Sequence, residues 1–186
     1  MSQSTLEQPQ VLVLNGGSSS GKSTLARQLQ TVLPGPWLRL GVDTLVAACP
    51  PQLFAADGLD LQPDGGVTVG AEFTKIEQYW MAGVARMAYT GGQILIEDNF
   101  VSGPRSQARW RSALSDLPVG WIGVRCSAPV ATQREQARGD RTAGMAARQA
   151  DQVHLGIDYD LEVHTDRSSV TENAEFIRRR FFPAND

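Results

Sequence analysis

Gly16-Gly17-Ser18-Ser19-Ser20-Gly21-Lys22-Ser23 fits the pattern G-x-x-x-x-G-K-S/T, and those residue types suit the holding of phosphate. Glycine lets the backbone curl until successive N–H groups face one anion, while the helix that follows presents its positive end. Lys22 is placed to bridge the β- and γ-phosphates of a nucleotide, and the Ser23 hydroxyl to bind Mg²⁺. Residues Gly16, Gly17, Ser18, Ser19, Ser20, Gly21, Lys22, Ser23 and Thr24 are therefore the expected core of a nucleotide site. The chain has 17 basic residues, of which only Lys22 and Lys75 are lysines, so a lysine inside the glycine cluster is not an accident of composition. A Gly/Ser linker is the plainer reading of the stretch, but a linker has no reason to sit between an apolar run and an amphipathic one.

Three further groups would complete a phosphoryl-transfer site. "ILIED" ends an apolar run on two carboxylates, Glu97 and Asp98, the arrangement in which an acid holds Mg²⁺ directly or through water. Asp98 is favoured there, with Glu97 assisting. Asp43 follows "WLRLGV", and ligands of open parallel sheets lie beyond the carboxyl ends of the strands. It is thereby a candidate general base for an acceptor hydroxyl; its other reading is a helix N-cap near Thr44. "RCSAPVATQREQARGDRTAGMAAR" carries Arg125, Arg134, Arg138, Arg141 and Arg148 against Glu135 and Asp140. Arg134 and Arg138 are four apart and share a helix face. The set reads as a mobile lid over residues 138–148, in which Arg134 and Arg138 bind the nucleotide, and Arg138 and Arg141 neutralise the transferring group and exclude water. A solvated basic face is the simpler alternative.

These groups need elements to hold them. "VLVLN" at 11 to 15 is an apolar run bounded by glycine, which predicts a central strand buried on both faces. "KSTLARQLQTVL" then places Leu25, Leu29, Val32 and Leu33 at helical spacing until Pro34 and Gly35. "WLRLGVD" (37 to 43), "QILIED" (93 to 98), "WIGVRC" (121 to 126) and "DLEVH" (160 to 164) supply four more strands between helical segments, which predicts an α/β parallel sheet of five strands. The longest helix, "AEFTKIEQYWMAGVARMAY", puts Phe73, Ile76, Trp80, Val84 and Met87 on one face. A Ser169-x-x-Glu172 capping box opens the last helix. Residues 50–70, rich in Pro, Gly and Asp, have no helical period and are expected to be a long excursion walling an acceptor site. Residues 1–10 are expected to be a flexible tail and 11–182 a single domain.

Composition bounds the partners. The net charge of −3 argues against non-specific binding to nucleic acid or acidic membrane, which needs many uncompensated cations. No run reaches the roughly 18 apolar residues of a membrane span, and "MSQSTLEQPQ" lacks the regions of a signal peptide; the cytoplasm is the expected location. Cys49 and Cys126 lack metal-ligand spacing and are expected to be reduced, buried thiols. His154 and His164 have no partner pattern and are expected at packing or surface positions. A homo-oligomer is compatible with the sequence, which holds nothing that specifies one.

The order "LNGGSSSGKS", "GVDTL", "PDGGVTVGAEF", "ARWRS", "GVRC", "ARGDRTAGMAARQ" and "YDLEV" resembles the chloramphenicol 3-O-phosphotransferase family of P-loop kinases, from about Val11 to Val163. The resemblance implies a three-layer, adenylate-kinase-like P-loop kinase fold, transfer of the ATP γ-phosphate to an alcohol, Asp43 as base, and a lid carrying Arg138 and Arg141. Glu97 stands where the family often has Asp, Asn99 replaces an apolar residue, and residues 46 to 62 differ. The expected reaction is Mg²⁺- and ATP-dependent O-phosphorylation of a small alcohol, chloramphenicol or a relative, with antibiotic inactivation as its consequence. A sugar or nucleoside-type metabolite kinase is the alternative. A nucleotide-dependent switch is the third reading, and the sequence has no N-K-x-D or D-x-x-G motif to support it.

Overall fold

The computed structural model describes residues 8–54, 57–62, 64–138 and 144–183. Strand β1 (Val11–Asn15) is buried along its whole length, as an apolar run in the middle of a parallel sheet must be. It pairs in parallel with β5 (Gln93–Asp98) on one side and β6 (Val119–Arg125) on the other. Strand β2 (Trp37–Gly41) adds to β5, and β7 (Leu161–His164) adds to β6, both parallel. The order is β2-β5-β1-β6-β7.

Alternation along the strands sorts their side chains into two cores. Leu12, Leu14 and Leu95 pack with Leu25, Ala26 and Leu29 of α1 (Lys22–Val32) and with Ala174 and Ile177 of α7 (Val170–Phe181). Val11, Val13, Ile94 and Ile96 pack on the opposite face with Met81, Val84, Ala85 and Ala88 of α3 (Ala71–Tyr89) and with Trp110 of α4 (Pro104–Ala113). Helices cover both faces, giving the three layers and five parallel strands expected, in a P-loop-kinase-like α/β fold. The Ser169–Glu172 capping box at α7 is formed in both directions.

Several boundaries differ from the sequence reading. Strand β2 stops at Gly41, where a Cβ would lie 3.0 Å from the Cβ of Glu97. Asp43 therefore stands in the first turn of α2 (Val42–Ala48) rather than at a strand end. Residues 50–70 contain a 3-10 turn (Pro51–Leu53) and an antiparallel hairpin of β3 (Leu59–Leu61) and β4 (Val67–Val69). That hairpin rests on a small core of its own, built from Leu45, Leu59 and Phe73. On α3, Met87 is exposed, because Met81, Ala85 and Ala88 take the buried face; Trp80 is half-buried and bridges two cores. Gln10, expected in a tail, pairs with Pro118 and Ile94 through its backbone, and its side-chain amide donates to the Ala88 and Gly92 carbonyls. Cys126 is buried but Cys49 is half-buried; both are free thiols.

The stretch expected to form one lid divides. Arg138 ends α5 (Ala128–Arg138), residues 139–143, with Arg141, lie outside the described residues, and Met145–Arg148 open α6 (Met145–Gln152). Helix α6 is fixed: the buried Glu135 carboxylate of α5 accepts from the backbone N–H of Gly144 and of Ala146, each at 2.8 Å, satisfying donors at a helix start.

Candidate functional site

The turn from β1 into α1 is built by close approach. A Cβ on Gly16 would lie 2.5 Å from the Val124 carbonyl oxygen, and one on Gly17 3.0 Å from the Gln149 carbonyl carbon. Gly21 has φ 90°, in the region glycine favours, and no side chain caps the helix it opens. A helix start capped by glycine rather than by a side chain is the arrangement at which an anion is received. The Lys22 ammonium lies back along the loop, donating to the carbonyls of Gly16 at 2.6 Å and Gly17 at 3.0 Å. Ser18, Ser19 and Ser20 are buried in the turn.

A cleft of about 510 Å³ opens from this loop toward β2 and α2. Lys22, Ser23, Asp43, Glu97 and Arg138 all line it. Asp43 is exposed there, on the first turn of α2. Period two decides between the two carboxylates of β5. Glu97 shares the α1-side face with Leu95, lines the cleft and pairs with Arg39 at 3.3 Å. Asp98 falls with Ile94 and Ile96 on the α3–α4 side, is 7% exposed, and does not line the cleft. Its carboxylate accepts from Trp110 Nε1 at 2.6 Å and from the Asn99 backbone N–H at 2.7 Å. Burial raises its pKa above the ordinary carboxylate range, against the lowering effect of those bonds and of the Lys22 and Arg109 charges. Of the two carboxylates Glu97 is the one on the cleft wall, while Asp98, favoured from sequence as the metal-facing acid, is buried on the other side of the strand.

Among the described residues no group of three His, Cys, Asp or Glu side chains is placed to hold a metal. The oxygens at hand, the Ser23 hydroxyl and the Glu97 carboxylate, fit Mg²⁺ shared with phosphate, since that ion keeps several waters and takes one or two protein ligands.

On the far side of Gly21 lies a second cavity of about 470 Å³, between α5 and the start of α7. Thr24, Leu25, Arg134, Thr165 and Val170 line it, and Arg138 lines both cavities. Arg134 is a fixed wall rather than a moving cation. It donates to Thr165 Oγ1 at 3.0 Å and to the Thr165 carbonyl at 2.8 Å. Two arginines of the basic stretch are used elsewhere. Arg125 pairs bidentately with Glu162 of β7, and Arg148 pairs with Asp64 of the hairpin turn at 2.8 Å.

His154 is buried behind the loop in a hydrogen-bond chain. Asn15 Nδ2 donates to the Tyr159 hydroxyl, which leaves that hydroxyl's own proton for His154 Nδ1 at 2.7 Å. Burial, with the Arg125 charge, pushes the His154 pKa down to about 4, and burial pushes Tyr159 up to about 12. His154 thus takes one of the two placements expected for it, a buried packing position.

Sequence reasoning missed Arg39, Asn99, Gln149 and Thr165. Arg39 donates to the Ser23 carbonyl at 3.3 Å as well as pairing with Glu97. Its signal was present, since it is two residues from the core residue Trp37 and so points to the same α1-side face. Gln149 accepts from the Ser18 backbone N–H at 2.9 Å and from Asn99 Nδ2 at 3.4 Å. Contacts made across that much chain leave no local pattern to read.

A family model described as chloramphenicol phosphotransferase-like protein matches residues 9–182. Two Mycobacterium tuberculosis proteins, Rv2636 and MT2714, provisionally named O-phosphotransferases, are 25% identical over 192 residues, covering 92% of this chain and 81% of theirs. Among solved structures, a sugar kinase from Janibacter superposes with a TM-score of 0.66 at 16% identity, covering 93% of this chain and 95% of that one. The Deinococcus radiodurans tunicamycin resistance protein gives 0.66 at 17%, covering 96% and 98%. Shikimate kinase from Acinetobacter baumannii gives 0.58 at 14%, covering 94% and 93%. At these identities the structures are alike in fold. No helix of the described residues is long and apolar enough to cross a membrane.

Proposed function

The chain belongs to the chloramphenicol phosphotransferase-like family, and from that premise we propose that it transfers the γ-phosphate of ATP to a hydroxyl of a small polar metabolite, of the sugar or nucleoside type. The observation that carries this choice of acceptor is the lining of the larger cleft. Among the described residues that line it, apart from glycines, the apolar ones are Val42 and Met145; the rest are hydroxyl, amide or charged, and none is aromatic. A polyhydroxyl acceptor finds hydrogen-bond partners on such a wall, whereas an aryl-bearing drug leaves polar groups unpaired. The fold shared with a sugar kinase agrees with this reading.

In this reaction the loop N–H groups and Lys22 hold the β- and γ-phosphates. Bound Mg²⁺, held by Ser23 and Glu97, would draw charge from the phosphates. Asp43 accepts the acceptor hydroxyl's proton as its oxygen bonds to the γ-phosphorus, while the bond from that phosphorus to the β–γ bridging oxygen breaks and ADP leaves. The second cavity, walled by Arg134, takes the nucleoside end of ATP. Arg138, facing both cavities, spans the join where charge develops. A second reading, phosphorylation of chloramphenicol or a related drug, rests on the description of the family. Competition separates the two. An equimolar mixture of sugars, nucleosides and chloramphenicol is offered with ATP and Mg²⁺, and the phosphorylated products are weighed by mass spectrometry. A sugar or nucleoside phosphate dominates if the proposal holds; chloramphenicol phosphate dominating returns the drug reading.

A further inference from the structure

Ser19, in the middle of the phosphate loop, has φ 56°; among the described residues it alone, apart from glycines, has a positive φ. An L-residue held there is strained and stays only where its surroundings leave it no other choice. Two distant parts of the chain supply that constraint. On the N-terminal side, the Ser18 N–H donates to Gln149 Oε1 at 2.9 Å across 131 residues of sequence. Gln149 is 3% exposed, and its own backbone presses against Gly17. On the C-terminal side, the Ser20 carbonyl accepts from Thr165 Oγ1 at 2.6 Å across 145 residues, and Arg134 fixes Thr165 in turn. Neither Gln149 nor Thr165 belongs to the loop motif.

We infer that Gln149 and Thr165 are positioning residues, a two-sided clamp that holds the strained loop in its anion-receiving shape before the nucleotide arrives. Without the clamp Ser19 relaxes to an ordinary φ, and the loop loses its receiving shape. Binding then draws on the fraction of molecules still in the receiving shape, and the apparent Kd rises as that fraction falls. The inference rests on the reading of the loop as an ATP site, and it needs no knowledge of the acceptor.

The test is calorimetric titration of the full chain with MgATP, alongside thermal unfolding. Gln149→Met keeps the side-chain length and removes the acceptor. Gln107→Met is the control: Gln107 is 4% exposed and makes two hydrogen bonds to the Asp158 backbone from α4, away from the loop. Both variants lower Tm by similar amounts. Gln149→Met raises the Kd for MgATP about 10-fold, as a receiving fraction of about one tenth requires, while Gln107→Met leaves it unchanged. Ser19→Gly, which removes the strain, restores affinity in the Gln149→Met background by more than it alters affinity in the wild type. Equal Kd values for Gln149→Met and wild type, equal weakening by Gln107→Met, or the same effect of Ser19→Gly in both backgrounds overturns the clamp. A wild-type chain that fails to bind MgATP overturns the ATP reading and the clamp with it. If Gln149→Met does not fold, Thr165→Val with and without Ser19→Gly asks the same question from the other side. Affinity lost in Thr165→Val and restored by Ser19→Gly supports the clamp, and the same effect of Ser19→Gly in Thr165→Val and in wild type overturns it.

Discussion

Glu97 and Asp98 are adjacent carboxylates with opposite surroundings, and the pleat of one strand separates them. Glu97 shares its environment with Arg39 and the Ser23 end of the cleft. Asp98 has both oxygens occupied by N–H donors inside the protein. Their isosteric amides are therefore expected to fail in different ways. Glu97→Gln removes a charge from the metal side: it raises the Mg²⁺ concentration needed for half-maximal transfer and lowers the rate about 10²-fold, as losing one well-aimed electrostatic group does. Asp98→Asn turns an NH₂ toward one of two donors and lowers unfolding stability by about 1–3 kcal/mol, the cost of a buried group without its partner. Its Mg²⁺ dependence stays that of wild type. Titrating Mg²⁺ in the transfer assay, with urea denaturation in parallel, checks both, and the opposite pairing of effects returns the metal site to Asp98. Alternation was legible in "ILIED"; which face α1 would cover was not, because that depends on the packing of another element.

At the scale of elements, the end of β1 and the turn after α6 are joined by the chain from Asn15 through Tyr159 to His154. Burial there disfavours the charged imidazole. The unfolded histidine titrates near 6.5 and the folded one at about 4, so between those values the unfolded state binds a proton that the native state refuses. Stability contributed by His154 is full above pH 6.5, declines as pH falls toward 4 by at most about 1.4 kcal/mol per pH unit, and levels off below. The urea midpoint of wild type should fall between pH 7 and pH 5 by more than that of His154→Gln, which cannot titrate; equal falls would show that His154 does not carry the effect. The elements themselves were legible unevenly. Strand β1, the glycine turn and α1 announced themselves, because an apolar run, a glycine cluster and a 3.6-residue period are all local. Strands β3 and β4, three residues each, are too short to show a period, and their partner core comes from α2 and α3. The start of helix α6 is held by the Glu135 carboxylate, nine residues before Gly144, a contact with no local pattern to read.

For the whole molecule, five parallel strands with helices on both faces bring together a donor loop from 16–24, an acid from β5 and an acid from α2 at one end of the sheet. The recurrence of apolar runs between helical segments was enough to foresee that architecture, since a parallel sheet needs a crossover between each pair of strands. The acceptor was not foreseeable in the same way. On the proposed function it is set by a cleft wall assembled from α1, β2, α2, β5, α5 and α6, whose composition exists only once the chain is folded. The claim that joins the scales is that this cleft passes phosphate from ATP to an alcohol with Asp43 as base. The most direct measurement follows the labelled γ-phosphate of ATP in the presence of a panel of sugars and nucleosides, with wild type and Asp43→Asn side by side. The account predicts label on an acceptor hydroxyl with wild type, and a loss of about 10²–10⁴-fold in transfer by Asp43→Asn while MgATP binding is kept. Label recovered from wild type only as inorganic phosphate, or undiminished transfer by Asp43→Asn, would contradict it.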